Sequence, residues 1–508
     1  MAQVTHRANL TSASFPMISK YQGQTVILRE SDTNYVPTTS SSTDNDKDIG
    51  IPQIYYCHNV VPTNEGLAAV GWNQIISPLA DTDDFAQIFS LRDTLGNRVL
   101  LGITSSGQQR IVKENSTTWQ TITQVPLQAG NKVTAAFVSG ITYIYFEGVG
   151  CYTYNFELDE FVLTILNGLD VNAIIGILSN SGYLIAWARD GIAWSSTVDP
   201  TDFVPSLETG AGGGGVEGAR GEIIALVSTV AGFVVYTTNN AVAGSYSGNA
   251  RFPFNFREIV GAGGLTDTEL AASEGATGLQ YAYTTFGLQT VSFQQANSVL
   301  PDVTDFISGS FFEDFNETTR QFEYTRLTAP MRKKLFLVAG RYLILSYGVT
   351  SLTHALYYDL SLKRIGKLKI PHVDCFDYSA YDTNRETAKR SIAFLQASGA
   401  VVILDSDFLT ESAEGVLITG KYQHRRSRLL QLDSVIIENV IDGADFTLYN
   451  LPSIDGKNTT ESAGYLLNDS GNQKEYLFSD VGVNHSLLYI GNFSLNSLIL
   501  KFHIHGRI

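Results

Sequence analysis

Hairpin-like repeats that recur along most of the chain constrain its fold more than any other feature of the sequence. The clearest repeat spans 182–205, where the apolar runs 183–188 and 192–196 flank Arg189, Asp190 and Gly191. Asp-Gly between two apolar runs predicts a hairpin, because this pair tolerates the left-handed backbone of a tight turn. The repeat is therefore predicted to be a buried hairpin with an aromatic residue in each arm.

Similar repeats start about 40 to 60 residues apart, which is the spacing of β-propeller blades with variable loops. In each, an apolar strand meets a Gly or Asn turn, and a second strand rich in aromatic or β-branched residues follows. The starts lie near Phe89, Asn131, Asn180, Glu222, Gly278, Gly340 and Ser391. A four-stranded sheet cannot bury both faces alone, so radial packing of such sheets around an axis is favoured. Two or three β-sandwiches in series are the alternative, since the repeats share a shape rather than a strict residue signature.

We therefore predict an all-β fold with a β-propeller of about six to eight blades at 51–415. Residues 1–50 are expected to form an extended amino-terminal arm that grips a neighbouring molecule, with a mobile loop at 38–47, TTSSSTDNDK. After Gly415 the composition changes, and alternating strands predict a β-sandwich-like carboxy-terminal module at 416–508.

The charge balance limits the classes of partner. The chain carries 34 basic and 50 acidic residues, a formal net charge of −16. This argues against a surface that coats nucleic acid, which needs clustered Lys and Arg to replace the counterions of the phosphates. An acidic wall would instead let DNA slide past without adhering.

Cysteine usage and hydropathy restrict the setting of the protein. Cys57, Cys151 and Cys375 are widely spaced and odd in number, which predicts no disulfide framework and suits synthesis in a reducing compartment. The chain shows neither the layout of a signal peptide nor an apolar run of membrane-spanning length. Neither secretion nor membrane insertion is expected.

Two glycine-rich stretches are candidate loops. Residues 210–215 match the pattern GxGxxG, but the match follows a polar turn rather than a strand, and a strand rather than a helix follows it. Phosphate binding is therefore not predicted. We expect a flexible loop here and a second one at 261–264, GAGG, where a neighbouring chain could approach closely.

No cofactor, metal or catalytic residue is assigned from the sequence. His503 and His505 lie two apart on one strand face, and Cys57 adjoins His58, but a metal site needs three or four convergent ligands. The histidines are expected at a surface or an interface. No nucleophile, zinc-protease or P-loop motif occurs. A glycosidase with paired carboxylates stays open as an alternative, because propellers can host such sites.

The one dense basic cluster lies in the sequence KYQHRRSR and contains Lys421, Arg425, Arg426 and Arg428. It could contact nucleic acid. In an acidic chain, pairing with acidic groups of a neighbouring subunit is the favoured interpretation.

Four segments resemble the tail hub or nozzle proteins of short-tailed bacteriophages (podophages). Residues 55–72, YYCHNVVPTNEGLAAVGW, are similar to the family's opening, and 194–206, WSSTVDPTDFVPS, to an element that closes a blade. Residues 234–246, VVYTTNNAVAGSY, resemble the following blade. The segment from His485 to Arg507 resembles the closing strands, although Ile508 stands where the family often has a second basic residue.

The resemblance implies a propeller with a carboxy-terminal β module. It also implies a hexameric ring below the phage portal and adaptor proteins, with tail fibre or needle proteins as further partners. Genomic DNA would pass through this ring without specific binding. The expected location is the virion, after synthesis in the host cytoplasm, and the expected role is structural rather than enzymatic. A receptor-binding or glycan-binding tail component is the alternative.

Overall fold

The fold was analysed in a computed structural model of the chain. It describes residues 2–9, 26–28, 54–63, 66–79, 83–114, 116–122, 124–128, 130–249, 252–273, 278–300, 304, 307–309, 311–338, 340–378, 392–404, 414–419, 422–424, 428–438, 445–454, 457–458, 462–470, 473–482, 484–495 and 497–507. These residues are almost entirely β-structure, as predicted.

The strands of the first half are β1 Ala2–Asn9, β2 Val26–Leu28, β3 Ile54–His58, β4 Val60–Pro62, β5 Leu67–Ala69, β6 Trp72–Ile76, β7 Phe85–Arg92, β8 Arg98–Thr104, β9 Gln109–Lys113, β10 Gln120–Thr121, β11 Val133–Val138, β12 Ile141–Phe146, β13 Gly150–Asn155, β14 Glu160–Thr164, β15 Gly176–Asn180, β16 Tyr183–Trp187, β17 Ile192–Trp194, β18 Gly212–Gly214, β19 Ile223–Thr229, β20 Gly232–Thr237, β21 Ala241–Asn249 and β22 Phe252–Glu258. A 3-10 turn, Thr268–Leu270, precedes β23.

The strands of the second half are β23 Ala271–Ser273, β24 Gln280–Thr284, β25 Gly287–Val291, β26 Ala296–Ser298, β27 Phe311–Asn316, β28 Gln321–Arg326, β29 Arg332–Val338, β30 Tyr342–Gly348, β31 Leu352–Asp359, β32 Arg364–His372, β33 Asp374–Asp377, β34 Ile392–Leu395, β35 Val401–Leu404, β36 Gly415–Thr419, β37 Tyr422–His424, β38 Arg428–Glu438, β39 Asp445–Ile454, β40 Lys457–Asn458, β41 Ser462–Ala463, β42 Tyr465–Ser470, β43 Gln473–Leu477, β44 Val481–Gly482, β45 Asn484–Asn492, β46 Ser494–Leu495 and β47 Ser497–Arg507.

The chain divides into two compact units, which we call the propeller unit and the terminal unit. The propeller unit comprises 74–353 and 371–403, and the terminal unit comprises 1–73, 354–370 and 404–508. Each unit is therefore assembled from segments that are far apart in the sequence.

Seven antiparallel sheets contribute the blades of the propeller unit, and β27 and β28 form a further two-stranded sheet in it. Blades 1 to 5 are formed in order by β7–β10, β11–β14, β15–β18, β19–β22 and β23–β26, blade 6 contains β29 and β30, and blade 7 contains β33–β35. Strand β6 completes blade 7, so the beginning and the end of this unit are joined in one sheet. The inner strands from β11 to β33 contact one another in sequence. Strand β7 contacts both β33 of blade 7 and β12 of blade 2, which closes the ring. The predicted propeller is confirmed, with one hairpin repeat in each blade.

Polar bonds join every pair of adjacent blades. They are Thr142 Oγ1 to Arg92 O (blades 1 and 2, 2.8 Å), Ile177 N to Thr134 Oγ1 (2 and 3, 3.0 Å), Asn180 Nδ2 to Gly232 O (3 and 4, 2.7 Å), Tyr236 OH to Gln280 Oε1 (4 and 5, 2.8 Å), Lys334 Nζ to Glu269 Oε1 (5 and 6, 2.7 Å), Lys334 Nζ to Asp374 Oδ1 (6 and 7, 3.2 Å) and Ile88 N to Asp374 Oδ2 (7 and 1, 3.0 Å). Apolar clusters lie between blades 1 and 2, 2 and 3, 3 and 4, and 7 and 1, so the bonds there add directional restraints to a packed core.

The terminal unit contains two large sheets around a shared apolar core. One sheet has the order β1-β47-β38-β43-β42 and the other β2-β37-β45-β36-β3, with β39 beside β45. Leu432 and Phe502 from the first sheet belong to the same core as Leu417 and Tyr489 from the second. This arrangement is a β-sandwich.

The unit boundaries differ from the predicted ones at the amino terminus. Residues 54–58, expected to start the propeller, pair with β36, where Tyr56 faces Ile418 and His58 faces Val416. Strand β1, expected to belong to an arm that grips a neighbour, pairs with β47, so that Ala2 faces Ile504. These pairings link residues hundreds of positions apart, which local sequence patterns do not report. The predicted mobile loop at 38–47 lies outside the described residues.

Candidate functional site

Blade 3 contains the hairpin that the sequence predicts at 182–205. Strands β16 and β17 pair as predicted, with Trp187 facing Ile192. The turn is not the expected left-handed one, because neither Asp190 nor Gly191 has a positive φ. Gly191 is needed for a different reason: a Cβ there would lie 2.8 Å from the carbonyl oxygen of Gly214. Ser181 and Gly182, one turn earlier, have the left-handed pair, with φ of 50° and 83°.

The segment that resembles a blade-closing element, 194–206, forms a hydrogen-bonded turn after β17. The Ser195 hydroxyl accepts a bond from Leu184 N and donates one to Ser196 O. Asp199 accepts bonds from the backbone and the hydroxyl of Thr201, which hold the pKa of its carboxyl below the ordinary value. The side chains of Ser195 and Asp199 therefore have structural partners within the turn.

Phe203 anchors this turn between two blades. Its side chain is buried in the apolar cluster shared by blades 2 and 3, with Tyr145 and Leu184. Its backbone N donates to Asn167 O at 2.8 Å, and Asn167 N donates to Thr201 O at 2.8 Å. Phe203, the aromatic residue of the segment 194–206, therefore packs between two neighbouring blades.

Two open hollows flank the loop 188–191 of blade 3. The first has a volume of about 380 Å³, an apolar floor that includes Ile174 and Ala186, and the carboxylates of Asp170 and Asp190 at its edge. The second, of about 450 Å³, is lined by Val216, Ala219, Ile223 and others, beside the exposed ion pair of Arg189 with Glu222. Such shallow, apolar-floored hollows are suited to side chains of a partner protein.

Residues 212–214 form the outermost strand of blade 3 and carry no side chain. The predicted flexible loop is therefore partly a strand, β18, which pairs with β17. A Cβ on Gly214 would meet nothing within 4 Å, whereas one on Gly213 would lie 2.9 Å from Ile192 O. Packing thus requires Gly213 to be a glycine, whereas Gly214 leaves an open edge that another backbone could approach closely.

The second glycine-rich stretch, 261–264, is packed rather than flexible. Gly263 and Gly264 are buried, and a Cβ on Gly264 would lie 2.1 Å from Thr238 O. Gly264 O accepts a bond from Thr285 N, and Leu265 N donates to Thr237 O. The prediction of a flexible loop is wrong here, because the glycines allow two blades to approach each other.

A buried charged cluster that sequence reasoning missed lies among the inner strands. Lys334 on β29 contacts Glu269 at 2.7 Å and Asp374 on β33 at 3.2 Å. Asp374 also accepts bonds from Ile88 N and Cys375 N. Burial opposes the charged ammonium, but the two carboxylates outweigh it and raise the pKa of Lys334 above its ordinary value. The contacts of this cluster connect blades 5, 6, 7 and 1.

A second ion pair connects blades that lie opposite each other in the ring. Lys132, just before the inner strand of blade 2, places its Nζ 3.6 Å from Asp267 Oδ1 and 3.3 Å from Thr268 Oγ1, just before blade 5. Both side chains are about half exposed. In a seven-bladed ring these blades are as far apart as any two can be, so the pair crosses the propeller axis at this end.

The histidines named from the sequence have protein partners in the terminal unit. His503 Nε2 lies 2.8 Å from Asp433 Oδ2, and His505 Nε2 lies 2.9 Å from Gln431 Oε1. Both contact residues on the neighbouring strand β38, which agrees with their placement on one strand face. Across the described residues, no group of three or more His, Cys, Asp or Glu is arranged to hold a metal ion.

Cys57 and His58 are adjacent but do not converge. Cys57 is part of the apolar core of the terminal unit, where burial raises the pKa of its thiol to about 12. The Nδ1 atom of His58 lies 3.1 Å from the Tyr56 hydroxyl. Consecutive residues of a strand point to opposite faces, so this pair cannot share a ligand.

The basic cluster is only partly described. Arg428 begins β38 and faces Arg507 in the strand register. Lys421, Arg425 and Arg426 lie outside the described residues.

Within the parts of the chain that are described, no helix is long and apolar enough to span a membrane.

Comparisons with known proteins give fold-level likeness only. No family model and no curated protein matches the chain. Among solved structures, it is similar to YCF48 from Cyanidioschyzon merolae, with 10% identity over 66% of this chain and 99% of that one and a TM-score of 0.41. It is also similar to U3-55K, with 9% identity, 66% and 98% coverage and a TM-score of 0.40. At these scores the likeness carries no functional argument.

Proposed function

We propose that this chain is a structural, non-enzymatic virion protein, a subunit of the tail nozzle or hub of a short-tailed phage. The observation that carries the proposal is the sequence resemblance of four segments between residues 51 and 508. Within this proposal the partners are further copies of the chain in a hexameric ring, the portal and adaptor proteins above it, and fibre or needle proteins.

The propeller's internal structure suits a load-bearing role. Seven blades are joined around a closed ring by hydrogen bonds and by the buried cluster of Lys334, Glu269 and Asp374. Such directional restraints resist sliding of one blade past the next. The side chains of Ser195, Ser196 and Asp199 likewise form hydrogen bonds that hold the turn, as expected of a scaffold element.

The path of DNA in this proposal lies between copies of the chain. Lys132 Nζ lies 3.6 Å from Asp267 Oδ1 across the axis of the single propeller. This contact closes the axis to duplex DNA at that end. A conduit would therefore be enclosed by the ring of subunits. Acidic side chains facing it would repel phosphate and keep the DNA from adhering.

The test is the position of this chain in the particle. Virions that carry an accessible tag on the chain would be labelled with antibody and imaged. Label in a ring just below the portal vertex is expected, and label confined to peripheral fibres, or no label on particles, would contradict the proposal. Reversing acidic residues that face the lumen to Lys should slow DNA ejection while assembly proceeds.

A glycan-binding tail component is a second candidate, and an aromatic surface on blade 4 favours it. Tyr246 is 49% exposed and its ring contacts those of Tyr183 and Phe254, and Phe252, at the start of the neighbouring strand β22, is 60% exposed. Exposed rings of this kind can stack on sugars. Saturable binding of the purified protein to host polysaccharide, lost in Tyr246→Ala, would support this function over the nozzle.

A further inference from the structure

Acidic residues are concentrated in blades 2 and 3. Between residues 133 and 219 the chain has ten Asp and Glu residues and one basic residue, Arg189. Of the ten acids, Asp159 alone forms an ion pair with a described residue, with Lys113 at 2.6 Å. This part of the propeller unit therefore presents a field of carboxylates that has almost no internal compensation.

Exposed aliphatic side chains lie in the same part of the propeller. They are Leu158, Val162, Leu163 and Ile165 in and beside β14, and Val198, Val204 and Leu207 in the long segment between β17 and β18. Ile165 is 71% exposed and Val198 is 90% exposed. Isolated exposed aliphatics need no explanation, but several that lie close together mark an interaction surface.

Backbone contacts bring the two groups together. Asn167, which follows β14, bonds to Thr201 and Phe203 of the long segment. A Cβ on Gly168 would lie 2.9 Å from Val204 N. Strand β14 is the outermost strand of blade 2, so one of its edges has no strand partner among the described residues. We call the surface formed by Leu158, Val162, Ile165, Val198, Val204 and Leu207 and the acids Glu157, Glu160, Asp199, Asp202 and Glu208 around them the acidic face. Leu163 is not part of it, because it follows Val162 in β14 and points to the other face of blade 2, beside Tyr152.

The chemistry of the acidic face selects a cationic partner with apolar groups. Water-exposed aliphatics favour burial, and unpaired carboxylates around them favour Lys and Arg at the rim of the contact. The chain itself carries one dense basic cluster, KYQHRRSR at 421–428. Arg425 and Arg426 fall in the three residues that connect β37 to β38.

We propose that the acidic face binds the basic segment 421–428 of a second copy of this chain. The contact is heterologous, since two different surfaces meet, and repetition of it from copy to copy produces a ring or an open filament. This inference rests on the proposed function in so far as that function needs copies to associate, and it names the surfaces that do so.

The test is a charge-swap experiment on the full chain, with self-association measured by sedimentation over a dilution series. One variant carries Glu160→Lys and Glu208→Lys on the acidic face, and the other carries Arg425→Glu and Arg426→Glu in the basic segment. Each variant alone should weaken self-association by about tenfold or more, and high salt should weaken the wild type. An equimolar mixture should regain association, because alternating copies then place opposite charges at every contact.

Matched controls keep the net charge change equal. Asp84→Lys with Glu323→Lys alters two exposed acids of the propeller unit that do not belong to the acidic face, and Arg257→Glu with Arg332→Glu alters two exposed basic residues of blades 4 and 6. These variants should associate like the wild type. Val162→Ser with Ile165→Ser should weaken association, whereas Leu95→Ser, at an exposed residue of blade 1, should not.

Three outcomes would overturn the inference: a wild-type chain that stays monomeric, charge variants that associate normally, or loss of association that mixing does not restore. The last outcome would mean that the basic segment contacts its own chain or another protein. Antibody labelling of virions is independent of all three, so a ring of label with no effect of the charge swap would leave the proposed function standing and remove this inference alone.

Discussion

The Nζ of Lys334 lies 3.2 Å from Oδ1 of Asp374, and this contact joins the inner strands of blades 6 and 7. Glu269 from blade 5 and the backbone of Ile88 from blade 1 complete the surroundings. One lysine therefore connects blades on both sides of the point where the propeller unit closes.

Removing that lysine should destabilise the propeller unit strongly. In Lys334→Met, Asp374 and Glu269 lose their cation, and breaking a buried pair from one side costs about 3–5 kcal/mol. Arg220→Met is the matched control, because Arg220 pairs with Glu258 at the surface and exposed pairs contribute about 0–1 kcal/mol. Urea unfolding of the propeller unit measures both. Equal losses of stability in the two variants would show that the buried cluster of Lys334, Glu269 and Asp374 contributes no more than a surface ion pair.

Acid should weaken the terminal unit through His485. Burial lowers the pKa of this imidazole below 6.5, although the Leu430 carbonyl, at 2.9 Å from Nε2, and Asp480 oppose the shift. The unfolded chain therefore binds the proton more readily, and the stabilising contribution is present above the unfolded pKa of about 6.5 and is lost as pH falls below it.

The expected slope is at most about 1.4 kcal/mol per pH unit for one group. Unfolding free energies of the wild type and of His485→Gln should be compared between neutral and mildly acidic pH. The wild type should lose more stability than the variant, in which this proton-binding group is absent. A parallel pH dependence in the two proteins would exclude His485 as the source.

Two glycine substitutions should have opposite consequences for the propeller. Gly264→Ala places a methyl group against the backbone of Thr238, and such overpacking costs about 1–3 kcal/mol. Gly214→Ala has open space and no positive φ, so the folded state should tolerate it. Thermal unfolding of both variants checks this. A neutral Gly264→Ala would mean that blades 4 and 5 can move apart at little cost.

Phe203 should prove a structural anchor of blade 3. Its side chain is 2% exposed, and truncating a buried Phe to Ala costs about 3–5 kcal/mol. Val198→Ala in the same turn is the control, because Val198 is exposed and should change stability by less than about 0.5 kcal/mol. Denaturant midpoints would separate the two. A small loss of stability in Phe203→Ala would contradict the role of Phe203 as the residue that anchors the segment 194–206 between blades 2 and 3.

The locations of the blades could be predicted from the sequence because their signals are local. Each predicted repeat start, from Phe89 to Ser391, falls within or next to strands of a different blade. Apolar runs with a Gly or Asn turn between them form hairpins whatever lies elsewhere in the chain. Even so, the turn residue was misassigned in blade 3, where Ser181 and Gly182 have the left-handed backbone and Gly191 does not.

The charged clusters and the unit boundaries could not be predicted in this way. Lys334, Asp374 and Glu269 have no distinctive spacing, and Lys132 lies more than a hundred positions before Asp267. Which acid meets which lysine depends on how the ring closes, and this is a property of the packed blades.

The sequence by itself thus determined the β content and the succession of hairpins at the spacing of propeller blades, because alternation and turn chemistry act over a few neighbouring residues. The tertiary structure alone decided that β1 pairs with β47, that 54–58 joins the carboxy-terminal sandwich, and that one buried lysine connects blades 5, 6 and 7. These contacts bring together residues from distant parts of the chain, and their energy comes from burial and charge neutralisation that exist only once the sheets have packed.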